Sequence, residues 1–149
     1  MSIETLRPIR MEDYTVTRQE SLLSNGAKVV LFEKPRAPIS MRAMFSSGSR
    51  YDPLGLEGTS HFLEHMLVAG SERFPTKDML ATYIEQFGGS MGAATGSDTM
   101  QINTTIPESD DITIGFDVLH EILMEPGLFP ATLENERGAV LNELGDCQS

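Results

Sequence analysis

The five residues His61-Phe62-Leu63-Glu64-His65 lie inside the apolar segment TSHFLEHMLVAG, and they limit what the rest of the chain can fold into. Ionisable groups taken out of water are costly unless partners satisfy them. On a helix each residue turns by about 100°, so with His61 at zero Glu64 falls near about 300° and His65 near about 40°. All three share an arc of about 100°, on one helix face. The fold must bring another element to that face.

Two imidazoles at i, i+4 reach one point in space, which is how the H-E-x-x-H helix holds zinc. Here the order is inverted, H-x-x-E-H. Zinc takes about four ligands, and a hydrolytic site keeps one position for water, so a third protein ligand must come from elsewhere. Glu143 is the best candidate, on a helix beside Val140, Leu141 and Leu144 that should turn it inward. Glu136 lies seven residues earlier, and two turns bring it within about 20° of Glu143. In this reading His61, His65 and Glu143 bind one zinc per chain. Glu64 takes a proton from an activated water and passes it to a leaving amine, and Glu136 fixes a ligand or helps the water.

Composition narrows the partners. The chain has 149 residues with 22 acidic against 11 basic, a net charge of −11. A phosphate backbone needs a basic face, so nucleic acid is not expected. Cys147 is the single cysteine, which rules out an intrachain disulfide and a multi-cysteine zinc site. The amino end, MSIETLRPIRMED, has no apolar segment of the secretory kind, and no run approaches about 18 apolar residues. A cytoplasmic protein that does not enter a membrane is expected.

The order of elements suggests the fold. Residues 1–12 read as a loose leader, and 13–149 as the amino-terminal portion of a domain. YTVTRQ and ESLLS read as short extended pieces, and Asn25-Gly26 as a hairpin turn before Val29 and Val30. In ISMRAMFSS, Ile39, Met41, Ala43 and Phe45 alternate with Ser40, Arg42 and Met44, a strand with one buried face. A helix from Thr59 to about Val68 pairs Phe62 with Met66 and Leu63 with Leu67. Thr76 caps a second helix, KDMLATYIEQF, with Asp78 in its first turn and Gly88 past its end. Two strands follow around a Gly-Ser-Asp bend. Ser109 reads as the N-cap of a third helix with Asp110 and Asp111 in its first turn and a stripe of Ile112, Phe116, Leu119 and Leu123. A fourth begins near Pro130. The sum is an incomplete α+β domain, a mostly antiparallel sheet with helices on one face.

These residues closely resemble the inverzincin peptidases of the pitrilysin family. The likeness runs through SNGAKVVLFEKP, FSSGSRYDPLGLEGTSHFLEHMLVAGSERFP and ENERGAVLNEL. The resemblance implies His61, His65 and Glu143 as zinc ligands, Glu64 as general base and Glu136 as an additional acid. It implies that a peptide or unfolded polypeptide substrate joins the sheet at an edge strand, by main-chain pairing that tolerates many sequences. The family usually places Asn-Ala-x-Thr on that strand. This chain has Gly92-Ala93-Ala94-Thr95, so the Asn side chain is absent and Gly92 offers only backbone groups. The resemblance also implies a second homologous domain or subunit that closes around the peptide.

Other signals are weaker. GGSMGAATG fits no phosphate-loop spacing. Asp117 and His120, at i, i+3, read as a solvated surface pair. Cys147 has no neighbouring base, and the nine methionines read as core filler. Two competing functions are a non-catalytic scaffold or inactive fragment on the same fold, and a metal hydrolase of small molecules. The intact H-x-x-E-H disfavours the first, and the breadth of the likeness the second.

Overall fold

The computed structural model describes residues 4–11, 14–35, 37–107 and 112–146. The chain divides into two compact units, Met1–Ala37 and Pro38–Ser149.

The first unit is an antiparallel sheet of β1 (Glu4–Met11), β2 (Tyr14–Leu22) and β3 (Lys28–Glu33), in that order. Residues 4–11, expected within a loose leader, form a strand because β2 supplies hydrogen-bonding partners along their length. The two extended pieces expected over 14–24 are one strand. The hairpin at Asn25-Gly26 forms as expected, with the Asn25 side chain accepting from the Ala27 amide at 3.0 Å.

The second unit carries a sheet in the order β4-β6-β5, all antiparallel, from β4 (Ile39–Phe45), β5 (Ser90–Thr95) and β6 (Met100–Ile106). β6 is central and alternates strictly, with Met100, Ile102, Thr104 and Ile106 buried. Helices α1 (Thr59–Val68), α2 (Lys77–Glu85) and α3 (Ile112–Met124) bring Val68, Leu80, Ile84, Val118 and Ile122 to that face to make the core. The face opposite the core shows Ser40, Arg42 and Met44 of β4 to solvent. The expected alternation of β4 is present, but Phe45 at the strand's end is exposed.

Leu80 and Ile84 are fully buried at i, i+4, and α2 has the expected ends: the Thr76 hydroxyl accepts from the Met79 amide at 3.2 Å, and Gly88 takes φ 70°. α3 seats only partly as expected. Leu119 is buried and Leu123 partly so, but Ile112 and Phe116 are exposed, while Ile114, Val118 and Ile122 are buried. The helix is apolar on more than one face, so periodicity alone does not choose the stripe. The choice is set by Gly115, where an added Cβ would come within 2.5 Å of the Met41 side chain, letting α3 lie close on β4 and β6. The buried Thr104 hydroxyl donates to the Gly115 carbonyl at 3.3 Å. The expected cap of α3, Ser109 with Asp110 and Asp111, lies outside the described residues. Helix α4 (Pro130–Asp146) begins at Pro130 as expected.

Candidate functional site

The beginning of α1 is fixed from the loop before it. Asp52 accepts from the Gly58 amide at 2.7 Å, the Ser60 amide at 2.9 Å and the Ser60 hydroxyl at 2.6 Å. A carboxylate at a helix N-terminus satisfies amides that have no partner inside the helix and complements the helix dipole. The Ser60 hydroxyl, with the Gly58 and Ser60 amides, holds the Asp52 carboxyl below its ordinary value. Ser60 is buried and directly precedes His61.

Along α1, Glu64 is buried and both histidines are partly so, on one side of the helix as the arithmetic requires. The ring Nε2 atoms of His61 and His65 lie 3.2 Å apart. Oε2 of Glu143, from α4, lies 3.4 Å from the first and 3.6 Å from the second. These three residues form the one cluster among the described residues that could hold a metal ion. The Glu136 carboxylate lies 3.0 Å from Nδ1 of His65, and Nε2 of the same ring faces the cluster; a proton on Nδ1, donated to Glu136, leaves Nε2 able to ligate.

The structure thus brings Glu143 to the histidines, although one of its expected apolar neighbours is not buried. Leu141 is 61% exposed, and the Glu143 side chain 54%. Among the described side chains of α4, Val140 is buried and Glu136 partly so, and Glu143 reaches the histidines from the helix flank.

Glu64 lines the same cavity as that cluster and has a partner of its own. Its Oε2 accepts from the Thr95 hydroxyl at 2.6 Å. Thr95 ends β5, which pairs with β6 and with no other strand among the described residues, so its outer edge carries unpaired backbone groups. Gly92 and Ala93, with His61, Glu64, His65 and Glu143, line a cavity of about 330 Å³. Ala94 is exposed. A side chain at position 92 would meet the Asn103 carboxamide at about 3.4 Å, directly across the ladder. Lys77, first residue of α2, also lines the cavity. No sequence pattern marks it, because its place depends on how α2 docks on β5.

A larger cavity of about 510 Å³, lined by Leu56, Phe62, Leu133 and Leu141 among others, contains none of the cluster residues. The smaller one holds the chemistry. Asp117 and His120 are exposed as expected, with Asp117 accepting from the Tyr83 hydroxyl at 3.3 Å. Cys147 lies outside the described residues. No helix of the described residues is long and apolar enough to cross a membrane.

With this geometry in hand, comparisons with known proteins give one direction. The family model described as insulinase, peptidase family M16, matches residues 28–149. Protease 3 of Escherichia coli (strain K12) is 37% identical over 123 residues, covering 82% of this chain and 13% of its own length. Insulin-degrading enzyme of Drosophila melanogaster is 34% identical over 122 residues, covering 81% and 12%. The crystal structure of pitrilysin aligns with a TM-score of 0.72 at 32% identity, covering 93% of this chain and 15% of that one. The chain therefore spans about an eighth of the length of these two relatives.

Proposed function

The chain belongs to the insulinase (M16) family of peptidases, and from that premise we propose that it carries the zinc centre of an endopeptidase that cuts extended peptides. One observation carries the reading. Around an ion with bonds of roughly 2.0–2.1 Å, tetrahedral ligands stand about 3.3–3.4 Å apart. The Nε2, Nε2 and Oε2 atoms of His61, His65 and Glu143 are separated by 3.2, 3.4 and 3.6 Å. A triangle of that size, built from two borderline nitrogen donors and a carboxylate, fits zinc.

When bound, zinc supplies Lewis acidity, polarising a carbonyl and lowering the pKa of a water toward about 7. The protein side chains do the rest. His61, His65 and Glu143 hold the ion, and Glu136 keeps His65 in the ligating tautomer. Glu64 is the general base: Thr95 engages its Oε2, which leaves Oε1 to take the water's proton and return it to the departing amine. The substrate lies along the free edge of β5, where the backbone of Gly92, Ala93, Ala94 and Thr95 pairs with it. A second homologous domain or subunit completes the chamber, in keeping with the small share of each relative that the chain spans. A reducing cytoplasm suits a chain with a single cysteine.

The test is metal analysis with two variants. The purified protein should hold about one zinc per chain. Glu64→Gln should keep that zinc and lose peptide cleavage, whereas Glu143→Gln should lose zinc. A stoichiometry near zero, or normal cleavage by Glu64→Gln, would overturn the assignment.

A further inference from the structure

The charged groups of the site cavity are accounted for one by one, except for Lys77. Glu64 is engaged by Thr95, and Glu143 faces the two histidines, which it would share with the ion. Lys77 lines the same cavity and is paired with no carboxylate among the described residues. The chain as a whole carries a net charge of −11, with acidic residues outnumbering basic ones two to one. The Lys77 backbone is not loose: it opens α2, whose first turn is closed by the Thr76 cap. Its neighbour Asp78 does not line the cavity.

The walls nearby are apolar. Val68, one helical turn beyond His65, is buried, and Met91 is half-buried. Lys77 itself is exposed, so its attraction for a carboxylate is of the modest, salt-screened kind.

We propose that Lys77 makes one end of the cavity a receptor for an acidic side chain of the peptide, so that the enzyme favours substrates with Glu or Asp near the cut bond. This rests on the reading of the site as a peptidase. A peptide extended along β5 turns every second side chain toward the cavity at about 3.3 Å per residue. Thr95 marks the end of β5 near Glu64 and Met91 the end away from it. A lysine side chain reaches several ångströms. The acidic residue therefore stands within about two positions of the scissile bond.

The experiment scans Glu, Gln and Lys through those positions, on both sides of the bond, in otherwise identical peptides. Cleavage is followed as kcat/KM, and binding of the uncleaved peptides to Glu64→Gln by fluorescence anisotropy. At one position Glu should be preferred over Gln by about fivefold in both readouts, and the preference should shrink with added salt. Lys77→Ala should bring the ratio close to one, and Lys77→Glu should turn it in favour of Lys. A Glu preference that survives both substitutions, or none at any position, overturns the proposal while leaving the peptidase reading standing. Cleavage by Glu64→Gln would instead strike at that reading.

Discussion

A hydrogen bond of 2.6 Å from the Thr95 hydroxyl to a buried carboxylate is a charge-assisted contact of the stronger kind. It sets which oxygen of Glu64 is free and where that oxygen points. Misplacing a catalytic group by about an ångström costs up to about a hundredfold in rate. Thr95→Val keeps the shape of the side chain and removes the donor. We expect kcat to fall about ten- to a hundredfold with KM and zinc content little changed, and Thr95→Ser to recover most of the loss. An unchanged kcat would show that Glu64 is held by its helix alone. The residues of α1 were legible because spacing on one helix fixes their common face. Glu136 was legible by the same arithmetic, seven residues from Glu143. Thr95 could be read only as an edge-strand residue, since its tie to Glu64 spans 31 positions and exists only after β5 and α1 dock. Of the apolar neighbours of Glu143, Val140 is buried and Leu141 exposed, so they mark its inward face only in part.

At the scale of elements, α1 owes its register to a loop residue. Its N-cap position, Gly58, is left-handed at φ 95° and offers no side chain, and Asp52 supplies the acceptor from six residues earlier. Because hydrogen bonds lower its pKa in the folded state, Asp52 binds a proton more readily when the chain is unfolded. Its stabilisation is complete above the ordinary aspartate value near 3.8 and is lost as the pH falls through the lower folded-state value. Asp52→Ala should therefore lower the Tm by a few degrees at pH 7, with the gap to the parent protein closing below about pH 4. Thermal melts by circular dichroism from pH 3 to 7 check this, and a gap that stays constant across the range would exclude the carboxylate as the cap. Helix starts and stops with local chemistry, such as Thr76 and Gly88 for α2, were readable from sequence. The Asp52 cap was not, because it lies outside the usual position one residue before the helix. Nor was the seating of α3, where Gly115 and Met41 decide between two apolar stripes.

At the scale of the whole molecule, the antiparallel sheet and the element order were legible, but the division was not. Patterning reports which residues alternate, and it does not report which strands share a sheet. Here β1 to β3 form one sheet and β4 to β6 another. The same non-locality makes the proposed zinc centre a probe of the fold. His61 and His65 come from α1 and Glu143 from α4, elements that contact each other only in the folded chain. An unfolded chain offers the i, i+4 pair no fixed geometry and no third ligand, so zinc should bind the native state far better. Ligand at about a hundredfold above Kd then stabilises by about 2.7 kcal/mol, which for a chain of this length raises the Tm by about 5–10 °C. Glu143→Gln, whose side chain is more than half exposed and makes little packing contribution, should leave the metal-free Tm nearly unchanged and abolish most of the rise. Calorimetry with zinc added and then chelated measures both quantities on one sample. A rise of equal size in the variant would place the bound metal elsewhere. No rise in the parent would mean that the three-atom triangle forms without gripping an ion, and the catalytic reading would fail with it.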